Sequence, residues 1–179
     1  MKQLTRLALL ATLTPLLLAW QEVEGQVPAP SQPQDERAEQ NALPQARDPL
    51  WGNLGQCKVG YDDKAGLYTI QLTPEVQKLS GQQVSASGFV LPLDSDDKTR
   101  HFLLTKRTPV CLFCPPGEPN EVIEVTSADP VTWTEDMINV TGTFKLVNNG
   151  DQGIFFKIDG AKTAKSTVID RFMGQNPVP

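Results

Sequence analysis

The sequence predicts a mainly β fold: one small barrel, closed or partly open, with a single short helix. Three observations carry the prediction. Apolar and polar residues alternate in short runs bounded by turn residues. One stretch, Thr73 to Gly81, is marked as a helix at both ends. The pattern of one hairpin then recurs about 54 residues later, so that Val84 falls on Ile138, Ala86 on Val140, Gly88 on Gly142, Val90 on Phe144 and Phe102 on Phe156. Each copy reads strand, glycine, strand, polar turn, strand. Paired glycine-bent hairpins are what a small barrel needs to curl its sheet.

The chain begins with an export signal. Lys2 and Arg6 make a basic start, and Leu7 to Ala19 is an apolar run too short to span a bilayer comfortably. Val23 and Gly25 suit cleavage before Gln26, so residues 1–25 read as a signal peptide and the protein as exported, periplasmic. An uncleaved N-terminal membrane anchor is the alternative, and no cysteine lies near enough for a lipid anchor. Residues 26–48 follow, QVPAPSQPQDERAEQNALPQARD, with almost no large apolar side chains. Such a segment cannot bury enough surface to offset its ordering entropy, and it reads as a disordered linker. A short helix around Asp35 to Leu43 would be marginal alone.

The folded domain is expected over residues 49–165, starting at Leu50-Trp51. Lys58 to Tyr61 and Leu67 to Leu72 read as strands joined by the turn Asp62 to Gly66. Tyr68, Ile70 and Leu72 share one face, assigned to the core. Thr73 is an N-cap, Pro74 suits N1, Glu75 favours the positive end of the helix dipole and Gly81 suits C′. Val76 and Leu79 would face the sheet. Gln83 to Leu93 is a strand with a bend at Gly88. Asp94 to Thr99 is a solvated turn that lacks a full calcium-loop pattern, and His101 to Thr105 pairs back as a hairpin partner. Asn149-Gly150 closes the second hairpin. Residues 166–179 read as a tail with a weak apolar set, Val168, Ile169, Phe172 and Met173.

The chemistry concentrates between two strands, in HFLLTKRTPVCLFCPPGEPNEVIEV, His101 to Val125. Cys111 and Cys114 form a C-x-x-C on a corner stiffened by Pro115, Pro116 and Pro119, with Asn120 after them. Prolines fix φ and donate no hydrogen bond, so this corner is neither helix nor inner strand. Two thiols at this spacing suit a metal chelate or a disulfide. If His101 to Thr105 closed a hairpin near Lys106 to Pro109, His101 would fall opposite Cys114. With Cys57 brought in by folding, the four would make a Cys3His set fit for zinc. Three cysteines in an oxidising compartment leave one without a partner, and the pairing stays open between Cys111–Cys114, Cys57–Cys111 and Cys57–Cys114.

Several functions are disfavoured. A net charge of −5 and a pI near 4.9 argue against nucleic acid. One histidine and no serine elbow leave a Ser-His-Asp hydrolase without support. A periplasmic thiol–disulfide enzyme is the alternative from another class, but it needs its C-x-x-C at a helix N-terminus, and here prolines and then a strand follow the second cysteine.

Leu79 with Gly81, Gly88 with Pro92-Leu93, Phe102-Leu103-Leu104, Cys111, Pro115-Pro116 and Pro119-Asn120 jointly resemble a family of exported bacterial proteins catalogued as domain of unknown function 3299. The resemblance covers about Trp51 to Lys162. That family typically follows its cysteine with a hydrophobic residue and a histidine. Here Leu112 and Phe113 stand in those places, so a metal pattern carried over would use Cys114 instead. The resemblance implies an OB-like barrel and a companion of a membrane transport system or another envelope protein, in some members connected with metal supply; no enzymatic activity follows from it. The reading is thus a non-enzymatic, exported OB-like binding module that takes a metal ion, zinc first, or a partner protein through Cys111 to Asn120.

Overall fold

The structure, a computed structural model, describes residues 34–94, 98–110 and 116–165. Residues 1–25, where an export signal is expected, residues 26–33, the turn residues Asp96 and Asp97, Cys111, Cys114, Pro115 and the tail from residue 166 lie outside the described residues. In chain order come α1 (Gln34–Ala42), α2 (Pro49–Leu54), β1 (Lys58–Asp62), β2 (Leu67–Gln71), α3 (Pro74–Lys78), β3 (Gln83–Pro92), β4 (Lys98–Thr105), a 3-10 turn (Pro119–Glu121), β5 (Val122–Thr132), β6 (Ile138–Asn149) and β7 (Ile154–Lys165).

Five strands close a barrel in the order β3-β4-β5-β7-β6, and β6 returns to β3. All its pairs are antiparallel except β5 with β7. This is an OB-like arrangement. β1 and β2 form a separate hairpin. Its turn and core face agree with the sequence, since Tyr68, Ile70 and Leu72 pack against the main core. α3 also forms with the predicted N-cap, but it ends earlier than expected, with Leu79 as its C-cap and Gly81 one position beyond C′. Thr73 Oγ1 accepts from Val76 N at 3.3 Å, Gly81 sits at φ +81°, and Val76 is fully buried.

The hairpin repeat is geometrically real. In the first copy Phe89 stands opposite Thr105, Val90 opposite Leu104 and Pro92 opposite Phe102. In the second copy the same register, advanced by about 54 residues, sets Thr143 opposite Asp159, Phe144 opposite Ile158 and Leu146 opposite Phe156. A Cβ at Gly88 would lie 2.7 Å from Leu104 Cγ and 2.8 Å from Thr105 O; at Gly142 it would lie 2.7 Å from Ile158 Cγ2 and 2.8 Å from Asp159 O. Both glycines therefore let the hairpin's second strand cross closely under the first. They also sit on neighbouring strands, because Val84 pairs with Gly142 and Gly88 with Ile138.

At Gly88 strand β3 changes partner: Gln83–Gly88 pair with β6 and Phe89–Pro92 with β4. Side chains close the edge this leaves. Asp48 Oδ2 accepts from Ser87 N at 2.8 Å, and Trp51 Nε1 donates to Ser87 O at 2.7 Å. Ser87 Oγ lies 3.1 Å from Asp48 Oδ1 and 2.7 Å from Asn139 Oδ1. A hydroxyl has one proton, so it can donate to only one of these oxygens, and the Asn139 amide satisfies the set when its nitrogen faces Ser87. Trp51 and Leu54 from α2 join Phe102, Phe144 and Phe156 in the buried core, where Phe144 and Phe156 stack at 5.9 Å between centroids.

Residues 34–48 carry structure where composition predicts a linker. α1 forms, Gln40 and Ala46 are buried, and Gln45 makes an isolated bridge to Arg107. The marginal helix is held by tertiary contacts rather than by propensity. Apart from Ala46 in the core, these contacts are polar and come from far along the chain, so a count of apolar residues misses them.

Candidate functional site

The long connection from β4 to β5 holds the C-x-x-C, and its two described stems are fastened at one point. Lys106 N donates to Glu121 O at 3.0 Å as the chain leaves β4. The Glu121 side chain is buried and collects cations from three positions: Arg37 Nη2 at 2.9 Å, Arg107 Nη2 at 2.9 Å and Lys106 Nζ at 3.5 Å. Arg107 Nε also donates to both carboxylate oxygens at 3.0 Å. Burial raises the Glu121 pKa, but the Arg107 hydrogen bond and the charges of Arg37, Arg107 and Lys106 outweigh it and hold the carboxyl below its ordinary range. A buried carboxylate met by several hydrogen-bonded cations is stable as a unit and costly to break by removing Glu121 itself.

The returning stem is the proline corner. Glu118 and Glu121 make a reciprocal capping box around the 3-10 turn that Pro119 begins. Gly117, at φ +152°, has a backbone conformation that disfavours any side chain, and a Cβ there would crowd Glu121 Oε2 at 3.2 Å. Asn120 Nδ2 donates to Cys57 O at 3.0 Å and ties the corner to the segment before β1. Cys57 is thus brought to the foot of the loop, yet its thiol is free, buried and packed in the main core.

His101 does not take the place that a tight hairpin gives it. β4 pairs with β5, so His101 stands opposite Thr126 and Thr105 opposite Val122. β4 is thus registered on β5 and not on residues just beyond Lys106 to Pro109, while Cys114 lies outside the described residues. His101 Nε2 lies 2.7 Å from Glu124 Oε1, which Lys157 Nζ also approaches at 3.4 Å. Lys157 continues to Asp159, and Lys145 reaches Asp159 at 2.5 Å. This charge ladder runs over the strands of the barrel's outer face. For Glu124, burial raises the pKa, and the His101 hydrogen bond and Lys157 overcome it; for Asp159, the Lys145 hydrogen bond is the main cause of lowering. Among the described residues, no three His, Cys, Asp or Glu side chains gather in a way that could hold a metal ion.

An apolar cleft of about 260 Å³ opens beside the corner, lined by Tyr68, Leu103, Pro116, Pro119, Val122 and Ile154. Leu103, Val122 and Ile154 belong, with Leu91, to a second small core cluster distinct from the barrel interior. Burial first, then the nearby Glu118 and Tyr61, raise the Tyr68 pKa, so its phenol stays neutral. Sequence reading misses both the cleft and the cation cluster. Glu121 precedes the strand-like run Val122 to Val125 and reads locally as a solvated charge; only its partners Arg37 and Arg107 mark it as buried.

The chain matches the model of a family described as protein of unknown function (DUF3299) over residues 24–154. It is also similar to a solved crystal structure of a DUF3299 family protein from Pseudomonas aeruginosa PAO1. The two are 21% identical, with 69% of this chain and 87% of that chain covered and a TM-score of 0.48. No curated protein matches the chain.

Proposed function

The chain belongs to the DUF3299 family of proteins of unknown function, and from that premise we propose that it is an exported, non-catalytic binding module whose loop thiolates, Cys111 and Cys114, hold a soft metal ion, zinc first. The observation that supports this reading is the anchoring of the loop. Both stems are fixed to one buried carboxylate, so the ten or so residues between them, on the order of 30 Å of chain at most if extended, start and end at set positions. A fixed base lowers the entropy lost when two thiolates converge on one ion. The thiolate, rather than the thiol, is the ligand, and zinc binds it at about 2.3 Å.

Two protein thiolates leave coordination positions for solvent or for another protein's ligand, which suits a carrier that passes its ion on better than a closed structural site. Handing metal to or from a membrane transport system fits this use, and the apolar cleft beside Pro116 and Pro119 gives such a partner a surface. His101 is engaged with Glu124 and Cys57 is in the core, so neither is required.

Zinc stoichiometry after reduction, chelator stripping and reloading tests the reading. The parent should bind one zinc, Cys111→Ser and Cys114→Ser none, and His101→Ala one. A parent that binds no zinc and carries its two loop thiols oxidised to each other overturns the proposal and leaves a structural disulfide, with a thiol–disulfide enzyme next.

A further inference from the structure

The β1–β2 hairpin joins the barrel through β2. Tyr68 and Ile70 pack against the main core, and Tyr68 N donates to Gly150 O at 2.9 Å in the turn between β6 and β7. β1 pairs with β2 alone. In an antiparallel pair, opposite residues either exchange both backbone hydrogen bonds or turn them away from each other. Tyr68 stands opposite Tyr61 and gives its N–H to Gly150, so this pair is of the second kind. With the period of two, Val59 and Tyr61 then aim N–H and C=O at the outer edge of β1. The outward carbonyl just before them is met from within the chain, since Asn120 Nδ2 donates to Cys57 O at 3.0 Å. Among the described residues nothing meets the outward backbone groups of Val59 and Tyr61.

The side chains along this edge complement a copy of themselves. Lys58, Gly60 and Asp62 are exposed and share one face. Across the hairpin they stand opposite Gln71, Thr69 and Leu67, so neither charge meets another there. Asp62 Oδ1 accepts from Lys64 N at 3.0 Å and from Ala65 N at 3.1 Å, which fixes the carboxylate at the end of the strand. Charges on a free edge usually deter a second strand. Here they are opposite in sign and equally spaced about Gly60. A second copy running antiparallel about Gly60 sets Lys58 opposite the partner's Asp62 and Asp62 opposite the partner's Lys58. A parallel copy in register sets Lys58 on Lys58 and Asp62 on Asp62, which repel.

We infer that β1 is a self-association edge: two copies of this chain pair their β1 strands antiparallel about Gly60 and join their hairpins into one continuous sheet. This register uses the outward groups, because Val59 of each copy stands opposite the partner's Tyr61 and the two exchange both bonds. The pairing ends at Lys58, one residue short of the Cys57 carbonyl that Asn120 occupies. A strand of 5 residues gives much less than a standard interface, so the dimer is weak, with a dissociation constant on the order of 0.1–1 mM. It needs neither the cysteine loop nor a metal, so its failure and the failure of the zinc reading are separate.

The test uses the full chain expressed in its own cells, kept reduced and with chelator present, so that neither a disulfide nor a bridging metal joins copies. Sedimentation equilibrium and amide hydrogen exchange by NMR are read from on the order of 10 µM to 1 mM, which spans the expected constant. The mass should rise reversibly toward the dimer. The Val59 and Tyr61 amides should gain protection with concentration, while those of Lys58, Gly60 and Asp62, bonded to β2, should not change. Val59→Pro removes an outward donor at an edge position that tolerates proline, and should abolish both effects. Lys58→Glu, a surface change that leaves the backbone alone, sets like charges at both ends and should weaken association roughly fivefold or more. Adding Asp62→Asn, which keeps the oxygen that Lys64 N and Ala65 N use, should restore it to within about threefold of the parent. Urea midpoints read by Trp51 fluorescence check that each variant is folded. A chain that stays monomeric across this range overturns the proposal and leaves the edge to an extended segment of another protein. A dimer whose Val59 and Tyr61 amides exchange as in the monomer, or one that Lys58→Glu does not weaken, overturns it as well.

Discussion

Replacing Gly142 by Ala, and separately Gly88 by Ala, probes the geometry that closes the barrel. At Gly142 the new methyl would meet Ile158 Cγ2 at 2.7 Å, Asp159 O at 2.8 Å and Ala161 Cα at 3.0 Å; at Gly88 it would meet Leu104 Cγ at 2.7 Å and Thr105 O at 2.8 Å. Ile158 and Leu104 could shift a side chain, but the two carbonyls belong to the neighbouring strand of each hairpin. Relief therefore requires moving a strand in a closed barrel. Overpacking of this kind costs about 1–3 kcal/mol, and backbone contacts place these sites at the upper end, about 2–3 kcal/mol each. With a urea dependence of roughly 1–3 kcal/mol per M, the midpoint should fall by about 0.7–3 M. Trp51, 1% exposed in the core, makes fluorescence a direct probe of the transition. Gly52→Ala is the control: it has open space at its Cβ and lies in α2, so it should be neutral or stabilising by up to about 1 kcal/mol. The reasoning fails if either strand variant costs less than about 0.5 kcal/mol, or if the two differ by more than about 1.5 kcal/mol, since the repeated register predicts similar costs.

Two further outcomes follow from buried polar groups. Asp48→Ala removes the acceptor of Ser87 N and should destabilise by about 1–3 kcal/mol in urea unfolding, with a shifted Trp51 emission because its indole donates to Ser87 O; parental stability would show that another acceptor or water takes its place. The folded pKa of Glu121 is depressed below its unfolded value, so its contribution is present at neutral pH and is lost as pH falls through the folded pKa. Urea midpoints should therefore drop on acidification below the ordinary carboxylate range of about 4.3, and Glu121→Gln should be less stable at pH 7 with a flatter acid dependence. An acid profile unchanged by that substitution would assign the effect to Glu124 and Asp159, which shift in the same direction.

Local rules made much of the fold legible. Thr73 and Pro74 mark the start of α3 because caps act within a few residues, while Gly81 marks its end only loosely, one position beyond C′. Gly88 and Gly142 revealed the two hairpins because a close strand crossing excludes any Cβ, which leaves a mark in sequence. The parallel pairing of β5 with β7 left no such mark, since Val125 opposite Ile158 looks like any other apolar strand pair. The site was legible only at its two thiols and its prolines. His101 was misplaced because the register of β4 is fixed by β5, beyond the loop, and not by the residues next to it. Arg37 and Gln40 were missed because their partners lie 84 and 68 positions away, and Glu121 because its nearer partners, Arg107 and Lys106, meet it only across the loop; polar residues carry no periodic signal of burial.

The most direct measurement is the native mass of the protein recovered from its own cells. The account predicts a chain starting at Gln26, all three cysteines reduced, and one zinc ion lost on acidification. A metal-free chain lighter by two hydrogens, with the missing pair mapped to Cys111 and Cys114, would contradict it.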